Sequence, residues 1–323
     1  MPTPADKTRR LRQALDLQRP DRLPLAGDWR FCEYRPEVYH LGEPELVAEG
    51  EVRWSADGKR AYTRDGGVWA VGDRERFRGP EDVLAVDPDA IEVEEVGPAM
   101  LAEMDRLCRA AAATAYPCAW HYGTLVTRAT LMFGWEPFLQ AAALDPERFG
   151  LLCDRFGAAS LAVASGWART DGIEAVFVHD DLAATRGPIL SPEWYRRYVF
   201  PWHGRIYDAL RRAGRKAIYV CDGNYLPLLE DILALGPDGL YIESTSMDPA
   251  EFMGRAGRDK VYLLKSDSRN TDHGTPKDVW AEIRRIRQLH QEYPGILMYR
   301  GGSRKPECVH AFEEACRQLL VYT

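Results

Sequence analysis

Two apolar runs in the middle of the chain end in residues able to titrate or to bind metal. Residues 173–178 lead into His179-Asp180-Asp181, and residues 217–220 into Cys221-Asp222-Gly223-Asn224. An imidazole beside two carboxylates suits proton transfer, a substrate clamp or metal ligation. Side chains alternate across a strand, so at most two of the first three share a face. Two carboxylates held close raise the proton affinity of one. The structural alternative is that one Asp caps the following loop or pairs with Arg186. In the second cluster, Cys221 and Asp222 with His179 would make a metal site. No second cysteine motif supports it, and Cys221 is equally read as a small apolar wall residue.

Other apolar runs end the same way. AYPCAWHYG ends in His121 and Gly123, 239–242 in Glu243, 261–264 in Lys265 and Asp267, and 296–299 in Arg300-Gly301-Gly302-Ser303. Asp28, Trp29, Arg30 and Arg35 follow a short run at 23–26 and either line a pocket or form a solvated loop. Lys265 and Arg300 are cations at strand ends in an acidic chain, which points to an anionic substrate or to pairing with Glu243 or Asp267. His203, His290 and His310 fall on helical stretches and read as surface residues; Trp120 and Trp135 read as core or wall.

These residues need a scaffold that brings strand ends together. Helical patterns at 5–18, 98–113, 145–168, 191–213, 226–235 and 275–290 alternate with seven apolar runs, and Asp145-Pro146, Ser191-Pro192 and Thr275-Pro276 are cap-plus-proline starts. An eighth strand is expected within 90–97 or 124–133. Residues 43–80 alternate polar and apolar around Asp57-Gly58 and Asp65-Gly66-Gly67, which predicts an antiparallel meander serving as an insertion or lid. Neither GxGxxG nor GxxxxGK[ST] occurs, so nothing supports a phosphate loop. The expectation is an α/β fold, a single (β/α)8 TIM barrel domain over 1–323 whose strand C-termini converge on one mouth. A flavodoxin-like open sheet is the alternative.

Composition narrows the setting. At 46% hydrophobic and 28% charged, the 323 residues have enough apolar material for a large core. A net charge of −7 argues against nucleic acid or an anionic membrane as partner. No run approaches the ~20 apolar residues of a membrane helix, and the charged N-terminus does not look like a secretory signal. The seven cysteines lack CxxC spacing and read as reduced thiols, which suggests a cytoplasmic protein.

The order of these motifs resembles a family. DD-x-A, GP-x-LSPE-x-Y, a helix reading PWHGRI, a strand ending in DGN, and GTPKDV before a Gly-rich strand end are similar to the uroporphyrinogen decarboxylase and corrinoid methyltransferase superfamily, best over 116–304. RRLRQALDLQRPDRLPL resembles that superfamily's opening. The resemblance implies a (β/α)8 barrel with its site at the strand C-terminal mouth. Its decarboxylases carry an arginine-rich segment where this chain reads DWRFCEYRPEVY, keeping Arg30 and Arg35 without the motif. Its methyltransferases hold zinc through an H-x-C-G strand end and a later Cys. Here those positions read Val220-Cys221-Asp222-Gly223 and Arg300-Gly301-Gly302-Ser303, so Asp222 stands where a ligand Cys would be.

The leading expectation is therefore methyl transfer between a small anionic substrate and a corrinoid carried by a partner protein. His179, Asp180 and Asp181 would position or protonate the substrate, and Asp222 would contact substrate or a divalent metal such as zinc. His121, Asn224, Glu243, Lys265, Asp267, Arg300 and Arg30 would bind substrate. Cofactor-free acid–base decarboxylation and a non-catalytic binding barrel remain as alternatives, and a homodimer is allowed.

Overall fold

The computed structural model describes residues 3–34, 53–54, 60–62, 68–70, 76–91, 93 and 95–321. Its strands in chain order are β1 (Trp29–Glu33), β2 (Arg53–Trp54), β3 (Arg60–Tyr62), β4 (Val68–Ala70), β5 (Tyr116–Tyr122), β6 (Ala175–His179), β7 (Ala183–Ala184), β8 (Gly187–Pro188), β9 (Lys216–Val220), β10 (Gly239–Glu243), β11 (Val261–Lys265) and β12 (Ile296–Tyr299).

Parallel neighbours need long crossovers, and apolar β-branched and aromatic runs joined by helices supply them. The main sheet follows, in the order β1-β5-β6-β9-β10-β11-β12, with every neighbouring pair parallel. The outer edge of β12 meets the chain just ahead of β1. There Met298 N–H donates to the Pro24 carbonyl and Ala26 N–H to the Met298 carbonyl, a parallel bridge at Leu25. The sheet thus curls into a ring of seven strands, joined by one bridge, rather than eight full strands among the described residues. The expected strand at 23–26 supplies only that bridge, and the strand itself lies at 29–33, in the stretch expected to line a pocket or form a solvated loop. Residues 126–133, one place considered for an eighth strand, are helix.

Alternation along each strand sorts two cores. Trp29, Tyr116, Cys118, Ala175, Phe177, Ile218, Val220, Tyr241, Val261, Leu263 and Leu297 fill the ring's interior, with Leu11, Ala14 and Leu15 of the first helix (Pro4–Leu15) packed among them. Ala119, Val176, Val178, Ala217, Tyr219, Cys221, Leu240, Ile242, Tyr262, Leu264 and Met298 face outward onto the helices.

The expected helix caps form: Asp145 accepts from Arg148 N–H at 2.9 Å, Ser191 from Trp194 N–H at 3.2 Å, and Thr275 donates to Asp278 at 2.7 Å. The single helix expected over 191–213 is two, Pro192–Tyr198 and Phe200–Arg212. Pro201 has no N–H to continue the first one. His203 and His290, expected on the surface, are fully buried on the core-facing sides of their helices.

Strands β2, β3 and β4 form a separate antiparallel sheet. Most of the segment 43–80 read as insertion or lid, and Arg35, lie outside the described residues. Among those described, no helix is long and apolar enough to cross a membrane.

Candidate functional site

The inward-facing positions at the strand C-termini converge on one mouth. Register sets Tyr122 beside His179, His179 beside Val220, Glu243 beside Lys265 and Lys265 beside Tyr299. His179 ends β6 on the inner face, and Asp181, two residues on, points the same way. His179 Nε2 lies 2.8 Å from Asp181 Oδ1. The same Asp181 oxygen accepts the Asp222 N–H at 3.0 Å, and the Asp181 N–H donates to Thr127 Oγ1 at 2.8 Å. One ligand atom each from His179, Asp181 and Asp222 lies within 4.8 Å of the others.

Charge follows this geometry. Burial would lower the proton affinity of His179, but the charge and hydrogen bond of Asp181 outweigh it and raise the pKa. Burial would raise Asp181, but the imidazolium opposite holds it below its usual range. Asp222 is raised, first by burial and then by the Asp181 charge. Among the described residues no hydrogen-bond donor reaches its carboxylate. Asp222 is therefore the group of this cluster with spare coordinating capacity.

Next along the rim, Lys265 Nζ donates to Glu243 at 2.9 Å. Glu243 also accepts from Gly223 N–H and Ser246 Oγ, both at 3.0 Å. Gly223 has φ +78°, and a Cβ there would lie 2.5 Å from the Ala183 carbonyl oxygen of the β7–β8 hairpin. Only glycine lets the Asp222 turn pass under that hairpin.

Several expected site residues lie elsewhere. Asp180, between the two inward residues, is turned outward and fully buried; it accepts from Leu125 N–H (3.2 Å), Thr127 N–H (2.8 Å) and His203 Nε2 (3.1 Å). It anchors a neighbouring helix start instead of reaching the mouth. Cys221 is also turned outward, its thiol accepting from Leu182 N–H and donating to the Asp222 carbonyl. Burial pushes that thiol well above its usual range, and its sulfur faces the outer wall, away from the His179–Asp181–Asp222 cluster. His121 lies behind the sheet, its pKa lowered to about 4 by burial and then by the Arg128 charge. Arg300 points toward Glu313 (3.7 Å) and donates to the Gly302 carbonyl. Asp267 caps a short helix and binds Arg269. Arg30 is exposed on the face of β1 opposite Phe31. Asn224 holds its own turn through the Leu226 N–H, with its backbone N–H on the Ala184 carbonyl.

Two features of the mouth escaped the sequence. Thr127 fixes Asp181 from across β5, a contact no spacing announces. Phe31, Trp120 and Tyr122 form an aromatic wall against Phe177 and His179. Phe31 lies on β1, in the stretch expected either to line a pocket or to form a solvated loop.

A parallel α/β ring with a ligand-grade cluster at its strand C-termini is the architecture of a barrel enzyme. Residues 74–295 match the family described as uroporphyrinogen decarboxylase (URO-D), well over half of the chain, and the chain belongs to that family. Among solved structures, a methyltransferase from Methanosarcina mazei is similar over 97% of this chain and 98% of that one, with a TM-score of 0.60 and 16% identity, a likeness of fold. Xylanase B from Clostridium stercorarium F9 (TM-score 0.34, 14% identity, 62% and 71% coverage) and a D-psicose 3-epimerase with D-fructose (TM-score 0.34, 11%, 75% and 85%) share too little to carry an argument. No curated protein matches the sequence.

Proposed function

We propose that this URO-D family member is a methyltransferase-like enzyme, moving a methyl group between a small anionic substrate and a corrinoid carried by a partner protein in the cytoplasm. The observation that carries the reading is the convergence of His179, Asp181 and Asp222 at the mouth; the sequence resemblance puts Asp222 where the methyltransferases would have a ligand cysteine.

A zinc–thiolate site does not fit, because Cys221 is turned into the wall and the candidate ligand group among the described residues holds no cysteine. One imidazole and two carboxylates do fit a divalent cation with nitrogen and oxygen ligands, zinc among them. Such a cation would polarise the substrate's oxygen or sulfur and favour its anionic form. The chain's own residues prepare that site. Thr127 and the Asp222 N–H orient Asp181, Asp181 orients the His179 ring, and Glu243 holds the Asp222 turn through Gly223. Lys265, paired to Glu243, is the cation at the rim able to meet an anionic group.

A second reading, cofactor-free decarboxylation, draws on the raised proton affinity of Asp222, which suits it to donating a proton to a carbanion. The test is transfer of methyl from methylcob(III)alamin, as a surrogate carrier, to a panel of small thiols and phenols, with chelated and zinc-loaded protein. Transfer only by the loaded protein, lost in Asp222→Ala, supports methyl transfer. Metal-independent release of CO2 from a carboxylated substrate would favour the second reading and overturn the first.

A further inference from the structure

Arg300, expected among the substrate ligands, turns away from the mouth into a cleft on the outer side of the ring. The cleft has a volume of about 500 Å3 and follows the seam where a single bridge closes the sheet. One wall is the segment ahead of β1. Leu23 N–H ties it to the Leu320 carbonyl, and the bridge at Leu25 ties it to β12. The other wall is the last helix (Pro306–Leu319). Its buried residues Phe312 and Cys316, one turn apart, join Leu25 and Met298 as the apolar lining. Burial pushes the Cys316 thiol up to about 12, so it adds no charge there.

The polar lining is cationic. Three guanidiniums, Arg22, Arg300 and Arg317, stand around one carboxylate, Glu313, in a chain whose net charge is −7. None of the three is fully used by its partner. Arg22 gives only Nη2 to Asp28, 2.8 Å from each oxygen, and its Nε is buried with no hydrogen-bond partner among the described residues. Arg300 donates through Nε to the Gly302 carbonyl, and its Nη1 stands 3.7 Å from Glu313, beyond hydrogen-bond reach. Arg317 gives Nη2 to Glu314 at 2.6 Å, one turn away on an exposed helix face, where such a pair is worth little against water. A buried guanidinium nitrogen without an acceptor is costly, and like charges gathered in one cleft repel. An anion with several oxygens relieves both, because the guanidinium fork matches phosphate and carboxylate oxygens two at a time. Three cations around one lining carboxylate favour a dianion, and a phosphate monoester is close to one at neutral pH.

We propose that this cleft is a binding site for a phosphate monoester with a small apolar body, its phosphate among Arg22, Arg300 and Arg317 and its body against Phe312. It shares no residue with the His179–Asp181–Asp222 cluster and does not rest on the methyl-transfer reading.

The test is calorimetric titration of the full-length protein with phenyl phosphate, after chelation so that no metal at the mouth can take the phosphate. One equivalent is expected to bind, about tenfold more tightly than phenol, which lacks the charge, or inorganic phosphate, which lacks the body. Arg300→Gln should weaken it about tenfold, as loss of a charged hydrogen bond does, and Arg300→Lys less, with unchanged circular dichroism in both. Arg317→Gln lies on an exposed helix face, places no burden on the fold, and should weaken binding about threefold. Added salt should weaken phenyl phosphate and leave phenol unchanged. Lys265→Met, at the mouth, should leave the affinity unchanged. No saturable binding, equal affinity for phenyl phosphate and either comparison compound, or indifference to both Arg300→Gln and Arg317→Gln would overturn the proposal. So would loss of binding in Lys265→Met, which would place the phosphate at the mouth.

Discussion

Asp180→Ala separates an anchoring carboxylate from a catalytic one. Asp180 is fully buried and collects three donors: the N–H groups of Leu125 and Thr127 at 3.2 and 2.8 Å, and His203 Nε2 at 3.1 Å. His203 is itself fully buried. Removing the carboxylate strands all three without water to replace it. Unsatisfied buried groups cost about 1–3 kcal/mol each. The donors share one acceptor, so their costs overlap, and a loss of about 3–5 kcal/mol is expected for Asp180→Ala. Asp180→Asn keeps one carbonyl oxygen for Thr127 and should lose less, about 1–3 kcal/mol. Denaturant unfolding followed in parallel by far-ultraviolet circular dichroism and tryptophan fluorescence measures both, coincident curves confirming one transition. Because Thr127 also accepts the Asp181 N–H, divalent-cation affinity should fall alongside stability. A variant Asp180→Ala within about 1 kcal/mol of wild type, the range of an ordinary surface change, would refute the anchoring role.

Three further outcomes follow from the same contacts. Glu243 is held below its usual range because the Lys265 hydrogen bond and charge, with the Gly223 N–H and Ser246, outweigh the upward push of burial. Such a carboxylate stabilises the fold above its unfolded value of about 4.3 and loses that contribution as pH falls through the lower folded value. Lys265→Met should therefore flatten the acid side of the stability profile measured by urea unfolding below about pH 4.3. Gly223→Ala forces a side chain into φ +78° against the Ala183 carbonyl and should cost about 1–3 kcal/mol, with weaker cation binding because Asp222 is displaced; unchanged melting and binding would contradict the turn's role. Cys221→Ala should lower stability modestly and leave cation affinity within about twofold, checked by competition with a chromogenic chelator, since its thiol faces the wall.

What was legible in the sequence was periodic. Apolar runs at 173–178, 217–220, 239–242 and 261–264 became β6, β9, β10 and β11 with ends shifted by one or two residues. Cap-plus-proline starts were legible because a side-chain oxygen and a missing N–H act locally. The first strand was not, because the apolar 23–26 run outweighed WRFCE, whose burial does not alternate: Arg30 and Phe31 are both exposed, and Trp29 and Cys32 are buried on opposite faces. At the site, the alternation rule limited His179-Asp180-Asp181 to two residues on one face, and the structure selects His179 and Asp181. Which face looks inward depends on the whole ring, so Asp180, Cys221, His121 and Arg300 could not be sorted from sequence. Thr127, 52 residues before His179 in sequence, enters only through the β5–β6 pairing that brings its helix beside Asp181.

We propose that His179, Asp181 and Asp222 together hold a divalent cation at the barrel mouth. The most direct measurement is zinc stoichiometry and affinity by equilibrium dialysis and elemental analysis, on wild type and on His179→Ala, Asp181→Ala, Asp222→Ala and Cys221→Ala. About one zinc per chain is expected, with an affinity lowered at least tenfold in each of the first three variants and no comparable loss in the fourth. Zinc binding that survives Asp222→Ala but is lost in Cys221→Ala, or no stoichiometric binding by the wild type, would contradict it.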